Sequence, residues 1–270
     1  MKKMYAIVAN EFWQRRRGLI WWSVGIIALV AMDMLLYKSI KNDTQNLTDL
    51  MKSLPSSIKA LFSGNADFFT QSGFLSSRIY YLLLPLLASI FAIGVGASLI
   101  GKEERERTLE LLLARPISRG KLLVSKTIAG TALIGLIGLI ALITAIVCLR
   151  PSGLDAISFR QITLVTISSI TLSALFGTIA FTLTALGGKF RSMATPVAVL
   201  VAFASYLLAS LESMVSWIVW PARLLPYHYY NPNGILEGHT YGLKVLLGFI
   251  CAIGVLLTIS WIGFRRRDIG

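Results

Sequence analysis

Residues 128–149 read IAGTALIGLIGLIALITAIVCL and contain no charged side chain. A helix rises about 1.5 Å per residue, so about 20 residues cross the roughly 30 Å hydrocarbon core of a bilayer. Because that core offers no water to the backbone, such a run closes its hydrogen bonds internally as a helix. The stretch therefore predicts a membrane-spanning helix, and similar apolar runs elsewhere in the chain predict further spans.

The composition of the whole chain agrees with a membrane protein. Of its 270 residues, 55% are hydrophobic and 14% are charged, and the mean hydropathy is +0.70. Soluble domains carry about 25% charged residues. We expect an all-α membrane protein with six transmembrane helices in one transmembrane domain, residues 1–270. The predicted spans cover residues 18–37, 79–100, 128–149, 162–187, 194–220 and 243–264.

The distribution of basic residues predicts the orientation of these spans. An even number of helices places both termini on one side of the membrane. Segments 1–17, 101–127, 188–193 and 265–270 on that side hold 17 of the 26 Lys and Arg residues. Positive charge favours the cytoplasmic side, so both termini are expected in the cytoplasm of a multi-pass protein of the cell membrane. The net charge of +13 is then a topology signal with attraction to membrane lipids, and no nucleic acid partner is expected.

Three segments outside the spans have patterns of their own. In residues 1–17 apolar side chains recur at helical spacing and polar side chains fill the remaining face, which predicts an N-terminal interfacial amphipathic helix. Residues 38–78 form the longest outer loop, and a short amphipathic helix is expected in it. Residues 221–242 are rich in proline and aromatic side chains, which predicts an outer re-entrant or interfacial segment before helix 6. In the second span, Pro85 favours a kink.

Polar residues inside the apolar runs are candidates for a substrate pathway. A carboxylate at the bilayer centre costs at least about 2.5 kcal/mol. Asp33 and Glu212 lie near the outer ends of their helices, so a pathway role and an inexpensive headgroup position both remain open. Ser169 and Ser173 belong to a stripe of small residues, which favours close packing within the bundle over a dimer seam. The pathway candidates are Asp33, Glu212, Ser169, Ser173, Tyr229 and Tyr230.

The sequence contains none of the common catalytic and metal-binding motifs. HExxH and GxSxG are absent, and the phosphate-binding GxxxxGK[ST] loop is missing, since LGGKFRS at 186–192 lacks the first Gly and the residue after Lys. His228 and His239 are too isolated in sequence to indicate a metal site. We therefore expect a non-catalytic chain that binds no cofactor itself.

The segment 101–127 holds the densest charge in the chain and predicts a helical hairpin. Residues 102–114 contain no Gly or Pro and consist mostly of good helix formers. The first helix should end before Pro116, and Ser118 can cap a second helix that continues into the third span. One apolar edge of the hairpin, available for docking, is formed by Leu109, Leu112 and Leu113.

The sequence EERERTLELLLARPISRGKLLVSK, residues 103–126, resembles the cytoplasmic segment between the second and third helices of type-2 ABC exporter permeases. Arg107 stands where that family usually has Gly, and Ser125 stands where it has the Gly before Lys. The resemblance extends over the chain, through the N-terminal helix, the six spans and the outer PYHYYNP segment at 226–232. The residues that match the family pattern are Thr108, Leu109, Glu110, Leu112, Leu113, Pro116, Ser118, Arg119 and Lys126.

This resemblance implies the transmembrane subunit of an ATP-driven exporter. In such exporters two ATPase subunits, which hold ATP and Mg, pair with two permeases, so a second copy or a related permease is implied as a partner. The hairpin would be the coupling helix that docks into the ATPase. The coupling residues implied are Glu103, Glu106, Arg107, Thr108, Leu109, Glu110, Leu112, Leu113, Pro116, Ser118 and Arg119.

Two other functions are compatible with six spans and a charged hairpin. An ion-driven secondary transporter would use Asp33 or Glu212 as proton carriers, and inverted repeats with broken helices would support it. A membrane scaffold would use the hairpin to recruit a cytoplasmic partner. Composition does not separate these functions from an exporter; the motif at 103–126 does.

Overall fold

The fold is an all-α bundle with six candidate membrane spans. The structure is a computed structural model that describes residues 2–42, 70–106, 118–239 and 241–266. In these residues every regular element is helical, and six helices are long and apolar enough to cross a membrane by length and composition. The predicted fold class is thereby confirmed.

The helices are numbered in chain order. The long ones are α1 (Lys2–Asn42), α2 (Gln71–Arg105), α3 (Arg119–Leu149), α4 (Phe159–Leu186), α5 (Gly188–Leu211) and α8 (Tyr241–Arg266). Between α5 and α8, the described chain forms the short helices α6 (Val219–Arg223) and α7 (Pro232–Leu236) and two 3₁₀ turns at Ser216–Ile218 and Pro226–Tyr229.

Contacts between helix ends define two ends of the bundle. One end is here called the base. It contains the first turns of α1, the end of α2 and the starts of α3 and α5. Ion pairs Glu11–Lys126 and Glu104–Arg191 join them. At the other end, here called the distal end, the end of α1 meets the start of α2, and the short helices α6 and α7 lie there with the α3–α4 turn. The ends of α2 and α3 that flank the predicted hairpin in sequence therefore lie at the base.

Two predicted boundaries near the N-terminus are corrected. Residues 1–17 were expected to form their own interfacial helix, but α1 is uninterrupted from Lys2 to Asn42. The amphipathic turns are therefore the first part of the first span's helix. The outer loop expected at 38–78 is shorter, because α1 and α2 occupy both of its ends. The short amphipathic helix expected inside that loop lies outside the described residues.

The predicted fifth span, 194–220, is wrong at both ends. Helix α5 begins at Gly188 and ends at Leu211, and the chain turns extended at Val215, with φ −131° and ψ 106°. The apolar residues that follow form separate short turns, in which Trp217 and Trp220 are largely exposed. Tryptophan suits the membrane–water boundary, so apolar composition here does not mean a continuing span.

Helices α2 and α4 approach each other closely because small residues line both. A Cβ atom built on Gly96 would lie 2.1 Å from the carbonyl oxygen of Gly177, and one built on Gly177 would lie 2.7 Å from that of Ala92. Between helices in lipid, such close backbone packing takes over the stabilising role that the hydrophobic effect has in water. The small-residue stripe of α4 therefore packs within the bundle, as favoured from the sequence.

Candidate functional site

A buried ionic cluster joins three helices at the base. The Lys126 ammonium of α3 lies 2.6 Å from Glu11 Oε1 of α1 and also contacts Glu103 Oε1 of α2. The Lys126 side chain is only 2% exposed. Arg15 Nε donates to Glu11 Oε2 at 3.1 Å, so two cations balance two carboxylates. Balance matters here, because an unpaired buried charge costs several kcal/mol. We call these four residues the Lys126 cluster.

Further polar contacts extend the cluster across the base. Arg15 Nη1 donates to Ser98 Oγ of α2 at 2.7 Å, and Lys102 Nζ donates to Gln14 Oε1 at 2.9 Å. The start of α5 is held to α2 by the Arg191–Glu104 pair at 2.9 Å. The ends of α1, α2, α3 and α5 are therefore connected around the point where the predicted hairpin begins and ends.

The predicted coupling residues fall partly within this region. Glu103 belongs to the Lys126 cluster, and Glu106 follows the last residue of α2 and lies 4.0 Å from Lys102. Ser118 is the N-cap of α3, with Oγ accepting from the backbone N–H of Lys121 at 3.4 Å, which confirms the predicted cap. Arg119 is the first residue of α3. The remaining residues lie outside the described part of the chain: Arg107, Thr108, Leu109, Glu110, Leu112, Leu113 and Pro116.

The sequence does not identify the partners of Lys126. Glu11 lies on the polar face of the amphipathic helix predicted over residues 1–17, and Lys126 matches the family motif. One signal was available, because Glu11 is the single acidic residue among the first 32 positions, in a strongly basic segment. An isolated acid on the inner side of a basic helix favours a structural partner over solvent.

At the distal end, Asp33 is paired with a cation. Arg78 of α2 donates to Asp33 Oδ1 from Nε at 2.9 Å and from Nη2 at 2.6 Å, while the Asp33 side chain is 7% exposed. A buried carboxylate in an apolar helix requires such compensation. The structure therefore gives Asp33 a role in joining α1 to α2, and its proposed pathway role stays a prediction.

The serine candidates lie between α4 and α2. Ser169 and Ser173 are fully buried, and Ser173 Oγ donates to the carbonyls of Ser169 at 3.0 Å and of Pro85 at 3.2 Å. The Tyr230 phenol lies beside Ser169. The Ser173 hydroxyl thus satisfies backbone carbonyls at a helix interface, as Ser and Thr commonly do in apolar helices, whereas Ser169 Oγ is buried without a hydrogen-bond partner in the described part of the chain.

Two tyrosines of the segment after α6 bind carbonyls of α2. Residues Ser76–Leu83 of α2 form a π-helical turn that ends just before Pro85. In a π turn the carbonyl of Tyr80 would accept from the N–H of residue 85, and in an α-helix the carbonyl of Tyr81 would accept from the same N–H. Residue 85 is proline, which has no N–H, so this donor is missing for both carbonyls. Tyr230 Oη donates to Tyr80 O at 2.8 Å, and Tyr227 Oη donates to Tyr81 O. Pro85, which favours a kink, follows a π turn whose carbonyls the distal tyrosines satisfy, and the kink itself stays a prediction.

Burial keeps these two phenols protonated. Tyr227 and Tyr230 are 5% and 3% exposed. Desolvation raises the pKa of Tyr227 well above its usual value, and that of Tyr230 as well, with neighbouring tyrosines adding in each case. Both hydroxyls are therefore available as donors at any physiological pH.

The remaining pathway candidates lie beside this segment. Glu212 Oε2, one residue past α5, is 2.5 Å from His228 Nδ1. Tyr229 is half exposed and donates its hydroxyl to the carbonyl of Arg223 at 2.9 Å. The structure thus brings Glu212, Tyr229 and Tyr230 together at the distal end, while Asp33 belongs to a separate contact with Arg78.

The fold and the charged base define a multi-pass helical membrane protein. The model of the family described as ABC-2 family transporter protein matches residues 5–268, so the chain belongs to this family. It is a membrane permease component of an ABC transporter, a class of subunit that is generally non-catalytic and associates with an ABC ATPase. No curated protein matches the chain.

Proposed function

We propose that the chain is the permease subunit of an ABC exporter, in which a separate ATPase subunit couples ATP binding and hydrolysis to substrate export. In this proposal the base and both termini face the cytoplasm of a cell, and the complex lies in its cell membrane. Two ATPase subunits, which hold ATP and Mg, and a second permease copy or a related permease complete the transporter. The chain itself binds neither nucleotide nor metal.

The Lys126 cluster is the observation that carries the coupling step. Residues 107–117, which resemble a coupling helix, connect α2 directly to α3. Glu103 and Lys126 flank that segment and contact each other, and Lys126 also contacts Glu11 of α1. A displacement of the hairpin would thus reach three spans together.

A two-state mechanism follows from this connection. ATP-driven closure of the ATPase subunits favours one position of the hairpin, and hydrolysis releases it. Because packed helices hold a few discrete arrangements, a ligand that prefers one state shifts the population of the whole bundle. The apolar edge at 109–113 supplies the docking contact, while the ionic cluster transmits its displacement.

The test is coexpression of the chain with an ABC ATPase, followed by copurification and ATP-dependent export in proteoliposomes. Glu110→Arg and Leu112→Asp should weaken both assembly and transport, because one reverses a docking charge and the other introduces a charge on the apolar edge. Asp155→Arg is the matched control, a charge reversal at a side chain that is 74% exposed at the distal end. Unchanged assembly and transport in both hairpin variants would overturn the coupling proposal.

A further inference from the structure

Two cavities open beside the distal tyrosine segment. One has a volume of about 190 Å³ and the other of about 460 Å³, and both are lined by His228, Tyr230, Asn231 and Asn233. Glu212, Tyr81 and Tyr227 complete the smaller cavity, and Glu237 borders the larger one. The larger cavity falls within the roughly 300–1,000 Å³ typical of small-molecule sites.

The lining of the cavities favours a positively charged ligand. It includes the carboxylates of Glu212 and Glu237 and contains no Lys or Arg. Glu212 contacts His228 Nδ1 through Oε2 at 2.5 Å, and its side chain lines the smaller cavity. A carboxylate that borders a cavity is a strong acceptor for a charged donor.

An unsatisfied amide oxygen points to a donor as well. Asn233 Oδ1 is buried and has no hydrogen-bond partner in the described part of the chain, although its Nδ2 donates to Glu237 Oε1 at 2.9 Å. A buried acceptor without a partner costs about 1–3 kcal/mol, so native proteins usually satisfy it with a donor from elsewhere. Asn233 borders both cavities, and a bound ligand with N–H groups would supply that donor.

Aromatic side chains distinguish an organic cation from a metal ion. Tyr81, Tyr227 and Tyr230 line the smaller cavity, and aromatic rings attract ammonium groups by about 0.5–2 kcal/mol. A divalent metal would require several carboxylate or imidazole ligands, and the described residues contain no group of three or more His, Cys, Asp or Glu that could hold one.

We propose that the distal end binds a protonated primary amine. Its ammonium group lies against the Glu212 carboxylate and Asn233 Oδ1, and its apolar part occupies the larger cavity beside Ile235 and Val245. The ligand is a free amine or an amine-bearing lipid headgroup, because both present the same ammonium group. This site is independent of the coupling step at the base, and its binding is measurable without nucleotide.

Binding of 2-phenylethylammonium to the full chain is the direct test, by calorimetry in an uncharged maltoside detergent without ATP. The neutral isostere 2-phenylethanol serves as the matched ligand. Glu212→Gln, which keeps the shape and removes the charge, should weaken amine affinity about tenfold or more, since charged hydrogen bonds are the strong ones. Asn233→Ala should weaken it about threefold to tenfold. Asp155→Asn, an exposed distal carboxylate outside the cavities, should change it less than about twofold.

A short-chain phosphatidylethanolamine, with phosphatidylglycerol of equal chain length as control, identifies the ligand source. Competition by the first lipid alone indicates a headgroup ligand, and its absence indicates a free amine. Equal affinity for the amine and the alcohol, or full amine affinity in both Glu212→Gln and Asn233→Ala, would overturn the proposal. Neither result would bear on exporter function, which the hairpin variants test separately.

Discussion

Replacement of Lys126 by methionine tests whether the ionic cluster holds the base together. Methionine keeps an unbranched side chain of similar length and removes the charge. The Lys126 side chain is 2% exposed and faces Glu11 and Glu103, so no solvent replaces the lost partner. Helices α1 and α2 would then present two carboxylates to the same gap, with Arg15 as the remaining cation of the Lys126 cluster.

The expected loss follows from that arrangement. Removal of one member of a buried ion pair costs about 3–5 kcal/mol, because the other charge stays desolvated. Glu11 keeps Arg15 as its partner, whereas Glu103 loses the Lys126 ammonium, so a loss of about 3 kcal/mol or more is expected. Adding Glu103→Gln to Lys126→Met removes the excess carboxylate charge, and stability should recover by about 2 kcal/mol or more.

Unfolding of the purified chain in bicelles by SDS titration measures these differences in the free energy of unfolding. Lys121→Met is the matched control, because it is the same substitution on α3 at an exposed position. Its effect should stay within about 0.5 kcal/mol. A Lys126→Met protein as stable as the control variant, or a Lys126→Met/Glu103→Gln protein as unstable as Lys126→Met alone, would refute the reasoning.

Three other predictions use the same assay. Gly96→Ala should destabilise the bundle by about 1–3 kcal/mol, because its Cβ would meet α4 backbone at 2.1 Å, whereas Gly94→Ala, with open space around its Cβ, should be nearly neutral. Tyr230→Phe should cost about 1–2 kcal/mol, because the Tyr80 carbonyl loses its donor. In a Pro85→Ala background the helix regains a backbone N–H, so the same substitution should cost less than half as much. Equal losses in both backgrounds would contradict the assigned role of the proline. Asp33→Asn should cost about 1–3 kcal/mol, because Arg78 loses its charged partner, and it should leave ATP-dependent transport intact. Abolished transport with unchanged stability would favour a proton-carrier role for Asp33.

The sequence predicted the elements of the fold well, and it predicted their ends less well. The six spans were evident from hydropathy, since the bilayer requires about 20 apolar residues in each. Ser118 was correctly expected to cap α3, because N-cap chemistry is local. The fifth span was drawn too long, because hydropathy does not distinguish an apolar span from aromatic turns beside it. The break in helix after Leu211 depends on how residues 212–230 pack onto α2 and α5.

The candidate site could be predicted only in part. The motif at 103–126 includes Glu103 and Lys126, which the structure brings together at the base, and its coupling role stays a prediction. The partner of Lys126 on α1 could not be predicted, because Glu11 lies 115 residues away and no periodicity relates the two. Likewise, PYHYYNP indicated an aromatic segment, but nothing local showed that its phenols satisfy carbonyls near Pro85.

The sequence by itself determined which segments can cross a membrane, where the positive charge accumulates and which segment resembles a coupling helix. Each of these depends on local composition, because the bilayer sorts residues by transfer free energy along the chain. The tertiary structure alone decided which buried charges pair, how closely α2 approaches α4 and which donors reach the carbonyls near Pro85. In an apolar environment polar groups are stable only with a partner, and that partner is set by how the helices pack rather than by spacing along the chain.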